Sequence, residues 1–359
     1  MCALSINGVS KSFGRQRVVD DFSLAIESGQ CVALLGPSGC GKSTILSLIA
    51  GFETPDTGTI FLEDRLLNGL PPQERNLGLL LQDLSVFTRM TVRQNLAFGL
   101  EARGYRRLEI ARRVEAAAAR FGIVDLLEVG AAELNFSEKQ RIALARSLIT
   151  EPSVLLLDEP MSSLDAADRI RMRSELKLIH SELRSTVLLV THDQSEALSL
   201  ADLVVVMRAG KIEQMGAPQA VFNQPGNTFV AEFLGEPPAN LFKAELVYEG
   251  GRAELKTASV RFRTDRESFA ASELTVSIRA NDLKLSCEPG PLQVRVSDVE
   301  FLGAEDLVRF SLGDLALASL TPAGSFRAGE RAFIPLGPIL GLLLTSGRAT
   351  ESTCLEIVP

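Results

Sequence analysis

Residues 36–43 read Gly-Pro-Ser-Gly-Cys-Gly-Lys-Ser, which matches the spacing of a phosphate-binding loop. The apolar run 31–35 before this loop predicts a buried strand, and residues 43–50 after it predict the start of a helix. A glycine-rich loop at a strand-to-helix junction lets backbone N–H groups surround phosphate oxygens at the helix N-terminus. This one segment therefore predicts an α/β core that binds a nucleotide.

Each polar group of the loop has an expected partner. The Lys42 ammonium can reach the outer phosphates, and the Ser43 hydroxyl can hold Mg²⁺. Cys40 is interpreted as a small residue tolerated at a variable position. The candidate nucleotide-binding residues here are Gly36, Pro37, Ser38, Gly39, Cys40, Gly41, Lys42, Ser43 and Thr44.

The composition limits the class of protein. A chain of 359 residues is too long for one compact core, so two domains are expected. The net charge of −8 argues against a nucleic-acid surface, where a basic stripe is expected. Five scattered cysteines suit a reducing compartment. Because the chain has neither an 18-residue apolar run nor a signal pattern, a cytosolic location is expected, with membrane contact only through a partner.

The character of the sequence changes near residue 235. Before it, apolar strand-like runs alternate with helical patterns, which indicates a parallel sheet between helices. After Glu236-Pro237-Pro238 come short β-type runs separated by glycine and proline, which are typical of a small barrel or sandwich. The predicted domains are therefore residues 1–235 and 236–359.

A second nucleotide-binding element is predicted at residues 154–160, Val-Leu-Leu-Leu-Asp-Glu-Pro. Four apolar residues form a buried strand, and two carboxylates follow at its end. Of Asp158 and Glu159, one carboxylate can hold the metal, and the other can orient or deprotonate a water beside the terminal phosphate. Alone, the segment could equally be an acidic turn; the loop upstream favours the catalytic interpretation.

Three further side chains are weaker candidates when each is taken alone. His192 follows the apolar run 187–190, at the strand end where α/β sheets bind ligands, and could reach the terminal phosphate. Gln82 ends the run 79–81, and its amide could hold Mg²⁺ or water. Phe13 could stack on an adenine ring, although core packing is the default for a single phenylalanine.

The order of these elements resembles the ATP-binding subunits of ABC transporters. It comprises Phe13, loop 36–43, Gln82, residues 136–140, Asp158-Glu159, residues 162–165 and His192. Within that family the chain resembles the ATPases of bacterial importers for sugars, glycerol phosphate and polyamines, including maltose-importer ATPases. The resemblance is strong over residues 3–242 and loose over 243–359.

The resemblance implies a mechanism with ATP and Mg²⁺ as cofactors. Two nucleotide-binding domains close head to tail around two ATP molecules, each lying between one chain's phosphate loop and the other chain's signature segment. Ser43, Gln82 and Asp158 would position Mg²⁺, and Glu159, His192 and Gln82 would act in hydrolysis. Ser137 and Gln140 of the signature segment would contact the partner's nucleotide.

The resemblance also implies an organisation. A helical subdomain at about residues 85–150 would belong to the ATPase domain, and the tail would be an OB-like barrel with a regulatory role. The partners would be two transmembrane permease subunits and, through them, an extracytoplasmic solute-binding protein. The chain would lie at the cytoplasmic face of the inner membrane as a peripheral subunit.

The signature segment departs from the family pattern Leu-Ser-Gly-Gly-Gln. Here residues 136–140 read Phe-Ser-Glu-Lys-Gln, so both glycines are replaced. A carboxylate of Glu138 at 4 Å from a phosphate charge would cost about 4 kcal/mol at an effective dielectric of 20. We therefore expect an impaired ATP site at this segment, unless Lys139 offsets the charge or Glu138 points into solvent. This expectation favours a heterodimer with a second, different ATPase chain over a homodimer.

Other functions stay open from the sequence. A soluble phosphate-loop kinase or GTPase has no use for Gln82, residues 136–140 and His192 together. A non-transport ABC protein acting on DNA or ribosomes is disfavoured by the acidic balance. A regulatory module that closes on ATP with weak turnover is the most serious alternative. A sugar or polyol such as glycerol or glycerol phosphate is favoured as cargo, with polyamine, phosphonate or a metal ion as alternatives.

Overall fold

The chain divides into two compact units, residues 1–218 and 219–359, each with its own hydrophobic core. The sequence places the change of character later, near residue 235, and that domain boundary stays a prediction. The computed structural model describes residues 2–81, 86–162, 164–183, 185–249, 252–264, 273–290, 292–335, 339–345 and 348–358.

Strands and helices alternate through most of the first unit, as the sequence predicts for an α/β core. Its described elements are β1 (Cys2–Phe13), β2 (Gln16–Glu27), β3 (Cys31–Leu35), α1 (Lys42–Ala50), β4 (Thr57–Leu62), β5 (Arg65–Leu66), β6 (Leu77–Leu80), α2 (Val92–Ala102), α3 (Arg107–Arg120), α4 (Phe136–Leu148), β7 (Val154–Asp158), α5 (Ala166–Leu183), β8 (Thr186–Thr191), α6 (Gln194–Leu200), β9 (Leu203–Arg208) and β10 (Lys211–Gly216).

The central sheet has the spatial order β10-β9-β3-β8-β7-β6. All neighbouring strands are parallel except β10, which is antiparallel to β9. Every residue of β3 and β8 is buried, because helices and loops cover both faces of a parallel sheet. In register, Leu35 pairs with Thr191 and Asp158 pairs with Val190. The carboxyl ends of β3, β7 and β8 therefore meet at one edge.

A smaller antiparallel sheet has the order β2-β1-β4-β5. Buried and exposed residues alternate along β2, so one face of this sheet contributes to the core and the other faces solvent. Between β6 and β7 of the central sheet, residues 92–148 contain α2, α3 and α4. These helices fall inside the range of about 85–150 where a helical subdomain is predicted.

The second unit is all-β apart from two short helices, within its described residues. The helix α7 (Pro218–Asn223) crosses the division between the units, and α8 (Thr228–Phe233) follows. The strands are β11 (Asn240–Glu249), β12 (Arg252–Lys256), β13 (Arg261–Thr264), β14 (Glu273–Ile278), β15 (Leu292–Phe301), β16 (Glu305–Leu312), β17 (Leu315–Pro322), β18 (Arg331–Ile334), β19 (Ile339–Thr345) and β20 (Arg348–Val358).

These strands form two structures rather than the single small barrel expected from the sequence. A closed barrel has the order β11-β12-β13-β20-β19-β14, and a separate four-stranded sheet has the order β17-β16-β15-β18. The last two strands of the chain complete the barrel, and β13 pairs with β20 across nearly a hundred residues of sequence. The described strands agree with the predicted all-β character, and the OB-like type of the barrel stays a prediction.

The guanidinium of Arg279 ties the two short helices to the barrel strands. Nη2 donates to the Phe222 carbonyl at 2.8 Å, and Nη1 donates to the carbonyls of Ala231 and Leu234. The residues just before 235 therefore pack with the second unit. This contact explains why the compact units divide earlier than the change in sequence character.

Candidate nucleotide-binding site

Two glycines fix the path of the loop between β3 and α1. Gly41 has a φ of +109°, and a Cβ on it would lie 2.7 Å from the Val18 carbonyl oxygen. A Cβ on Gly36 would lie 2.4 Å from the Met207 carbonyl oxygen. Because no side chain fits at either position, only glycine lets this loop pack against β2 and β9 in this conformation.

The ammonium of Lys42 lies inside the same loop. Its Nζ donates to the Gly36 carbonyl at 2.7 Å and to the Pro37 carbonyl at 3.1 Å. The Lys42 side chain is buried, and a buried ammonium requires oxygen partners. The loop thus holds one positive charge at its centre, with residues 37–39 exposed around it.

The N-terminus of α1 is suited to an anion. Among the described residues no side chain caps it, and its first turn has no Asp or Glu. Free N–H groups and the positive end of the helix dipole both favour a negatively charged ligand here. Together with Lys42, this helix end can hold phosphate groups.

Ser43 and Asp158 form the candidate metal site. The Ser43 hydroxyl donates to Asp158 Oδ1 at 3.4 Å. Burial raises the pKa of Asp158, as does the neighbouring Glu159 charge, while Ser43 and the Lys42 charge lower it. A carboxylate whose charge is penalised gains from a nearby cation, and hydroxyl and carboxylate oxygens are ligands that Mg²⁺ accepts. These two residues therefore fit Mg²⁺.

Glu159 and His192 meet at the carboxyl ends of β7 and β8. His192 Nδ1 lies 3.0 Å from Glu159 Oε1, and the Glu159 N–H donates to the Val190 carbonyl at 2.8 Å. Glu159 has a φ of +46°, which is uncommon for a residue with a side chain and often marks a functional position. The structure therefore brings these two predicted side chains together at one sheet edge.

Phe13 ends β1 with 46% of its surface exposed. The Lys11 ammonium lies 5.1 Å from the centre of its ring. The hairpin of β1 and β2 also carries Val18, whose carbonyl faces Gly41 of the loop. Core packing therefore does not account for this exposed ring, and its stacking on adenine stays a prediction.

The signature segment opens α4, and Glu138 caps that helix. The Glu138 N–H donates to Asn135 Oδ1 at 2.9 Å, and the Asn135 N–H donates to Glu138 Oε2 at 3.0 Å. This reciprocal pair is a capping box. Asn135 is not among the residues predicted from the sequence, although the spacing Asn-x-x-Glu at the start of an apolar-periodic helix is the signal for such a cap.

Ser137 and Gln140 are placed differently on α4. Ser137 is half-buried in the first turn, whereas Gln140 is 1% exposed and donates through Nε2 to the Pro160 carbonyl. Gln140 thus contacts the segment after Glu159 in its own chain, and its contact with a partner's nucleotide stays a prediction. Gln82 lies outside the described residues.

No helix in the described ranges combines the length and apolar character that crossing a membrane requires.

Comparison with known proteins agrees with this geometry. Residues 19–162 match the family described as ABC transporter. The chain is 38% identical to the sulfoquinovosyl glycerol transport ATP-binding protein SmoE of Agrobacterium fabrum, over 90% of this chain and 91% of that protein. It is 38% identical to the sn-glycerol-3-phosphate import ATP-binding protein UgpC of Chromobacterium violaceum, over 86% and 84%.

Two more matches extend this result. The trehalose/maltose import ATP-binding protein MalK of Thermococcus litoralis is 38% identical over 92% of each chain. The solved structure of cbiO1 from Clostridium perfringens, part of the ABC transporter complex cbiONQ, superposes with a TM-score of 0.57 at 28% identity. That superposition covers 62% of this chain and 90% of the other.

The predicted heterodimer is wrong. Subunits of the UgpC and MalK type, which this chain matches over most of its length, function as homodimers with permeases and a binding protein. The heterodimer was predicted because the Glu138 carboxylate was expected to face a phosphate. In the structure its carboxylate accepts the Asn135 N–H, so a second kind of ATPase is not needed to explain it.

A loop with a central lysine, a serine–aspartate pair and a glutamate–histidine pair meet at one sheet edge, and relatives at 38% identity span most of the chain. This protein belongs to the ABC transporter family, as one of its ATP-binding subunits.

Proposed function

We propose that this chain hydrolyses ATP to power the import of a small solute, with a sugar or polyol such as glycerol or glycerol phosphate favoured. The convergence of Lys42, the Ser43–Asp158 pair and the Glu159–His192 pair at one sheet edge carries this proposal. The relatives named for sulfoquinovosyl glycerol, glycerol phosphate and trehalose or maltose support this choice of cargo.

The nucleotide and its metal ion would be held by residues of four segments. Phe13 would stack on the adenine ring, and residues 36–44 with the N-terminus of α1 would bind the phosphates. Ser43 and Asp158, together with Gln82, would hold Mg²⁺. The metal supplies charge stabilisation to the phosphate groups when it is bound.

Glu159 is proposed as the general base, and His192 as its partner at the terminal phosphate. The 3.0 Å contact places the imidazole against the carboxylate, so His192 can keep Glu159 oriented toward an attacking water. Because Glu159 is the residue directly after Asp158, the base and the metal ligand are fixed to the same strand end.

Two copies of this chain are proposed to close head to tail, with Ser137 and Gln140 of one copy completing the site of the other. The copies would attach to two permease subunits at the cytoplasmic face of the membrane, and a solute-binding protein would deliver cargo from outside. The second unit is proposed as a regulatory domain with an OB-like barrel. Its all-β construction supports this assignment.

A second candidate function is an ATP-binding regulator with weak turnover. It is favoured by Glu138, a carboxylate fixed in the first turn of α4 where the family has glycine. Under this alternative the copies would still close on ATP, but hydrolysis would be slow because the Glu138 carboxylate would lie near the phosphates and the neighbouring Lys139 would offset only part of its charge.

Replacing the base separates the two functions. Glu159→Gln should let the chain bind ATP without hydrolysing it, so a dimer should accumulate with MgATP in size-exclusion chromatography, while the wild type returns to monomer as ATP is consumed. Lys42→Ala is the control that should not dimerise. If the wild type and Glu159→Gln dimerise equally and persistently, the regulatory function is favoured instead.

A further inference from the structure

We propose that Arg169 is a positioning residue that fixes His192 relative to Glu159 by linking the segment after Glu159 to Asp193. This inference rests on the proposed roles of Glu159 and His192 in ATP hydrolysis. Arg169 touches neither side chain, so its effect would pass through Asp193, the residue next to the histidine.

The guanidinium of Arg169 bridges two segments. It lies in the first turn of α5, where Nη2 donates to the Leu164 carbonyl at 3.2 Å and Nη1 lies 3.3 Å from Asp193 Oδ2. The Arg169 side chain is 34% exposed and that of Asp193 is 22% exposed, so solvent screens this pair only in part. The planar fork of arginine allows both contacts at once, which a lysine ammonium on a flexible chain does not match.

Asp193 is in turn fixed to α6. Its Oδ1 accepts the Glu196 N–H at 3.1 Å and caps the helix, and its own N–H donates to the Thr191 hydroxyl at 3.0 Å. The Thr191 hydroxyl donates to the buried Glu196 carboxyl at 2.6 Å. The residues on both sides of His192 are therefore each held by hydrogen bonds.

The contacts form a closed ring that returns to Glu159. The Ser162 hydroxyl donates to the Glu159 carbonyl at 3.0 Å, and the Leu164 N–H donates to the Met161 carbonyl at 3.2 Å. Leu164 then accepts from Arg169, and the ring continues through Asp193 to His192 and back to the Glu159 carboxylate. Residue 163 lies outside the described ranges.

This closed ring of contacts couples the segment after Glu159 to the segment that carries His192. A displacement of residues 161–165 would move the Leu164 carbonyl, and Arg169 would transmit that movement to Asp193. The geometry of the Glu159–His192 pair is thereby coupled to the segment that follows the base. Without the guanidinium, both segments keep their local hydrogen bonds and lose only the connection between them.

Steady-state kinetics of the full-length chain with MgATP tests this coupling. Arg169→Gln should lower kcat about tenfold and change KM for ATP by less than about twofold, because it disturbs positioning and not nucleotide binding. The matched control is Arg171→Gln on the same helix, whose side chain is 78% exposed and 3.6 Å from Asp168; it should leave both constants unchanged. Thermal unfolding of each variant confirms folding.

A double-mutant cycle separates this role from a structural one. Asp193→Asn keeps a side chain that can cap α6 but removes the ion pair, so it should lower kcat about as much as Arg169→Gln, and the double variant should be no worse than either. The inference would be overturned by additive losses of kcat in the double variant or by an unchanged kcat in either single variant. It would also be overturned by a KM for ATP that rises by the same factor as kcat falls. Glu159→Gln is assayed in parallel: if it retains turnover, the proposed function fails rather than this coupling.

Discussion

Gly41 is the residue on which the phosphate loop depends most. It combines a φ of +109° with a Cβ position 2.7 Å from the Val18 carbonyl, whereas Gly39 has a φ of +78° and nothing within 4 Å of its Cβ position. An alanine at Gly39 would suffer only backbone strain. An alanine at Gly41 would also collide with β2, so the loop itself would have to move.

We therefore predict that Gly39→Ala costs about 1 kcal/mol of unfolding free energy, the usual penalty of a left-handed residue with a side chain. Gly41→Ala should cost more and should also weaken ATP binding. Denaturant unfolding and calorimetric titration with MgATP measure the two effects. Equal unfolding free energies for the two variants would show that the contact with Val18 does not constrain the loop.

The contribution of the buried residue Glu196 to folding stability is predicted to depend on pH. Its carboxyl is 2% exposed, and burial raises its pKa, with the Thr191 hydrogen bond and nearby arginines lowering it only in part. A carboxyl with a raised pKa in the folded state binds protons more tightly than in the unfolded state, so its contribution to stability falls as pH rises through that pKa.

Replacing this residue with Gln removes the ionisable group and its charge penalty. Glu196→Gln should therefore gain in melting temperature relative to wild type as pH rises from the unfolded pKa through the raised folded pKa, and should lose that gain in acid. Differential scanning calorimetry across this range, with the exposed Glu133→Gln as control, provides the test. A difference between Glu196→Gln and wild type that does not vary with pH would contradict the burial argument.

At the scale of elements, α4 depends on its capping box. Asn135 and Glu138 satisfy two N–H groups that the first turn would otherwise leave open. Asn135→Ala should therefore lower the free energy of unfolding by about 1 kcal/mol. Glu133→Ala, exposed and outside the box, should have little effect. Similar losses in urea unfolding for both variants would show that the cap contributes nothing.

The sequence predicts elements well where their signal is local. The strand predicted at 31–35 and the helix predicted to start at 43–50 are observed as β3 and α1, because the apolar run and the glycine-rich loop are visible within that one segment. The candidate residues at the sheet edge are also predicted from the sequence, because most of them lie in two short motifs, residues 36–43 and 154–160. Gln140 is different, because its burial depends on Pro160, which lies on another segment and comes near only after folding.

At the scale of the molecule, long-range pairing limits what the sequence reveals. Strands β19 and β20 close a barrel in which β14 and β13, their partners, lie far back in the chain. Pairing over such separations leaves no local pattern beyond short β-type runs. The same holds for Arg169 and Asp193, which become neighbours only when α5 and α6 pack together.

The whole account depends on one sheet edge that binds and hydrolyses MgATP. The most direct measurement is phosphate release from MgATP by the purified full-length chain, compared with its Lys42→Ala and Glu159→Gln variants. The account predicts steady release by the wild type and loss of release in both variants, with ATP binding retained only in Glu159→Gln. Release that continues unchanged in both variants would contradict it.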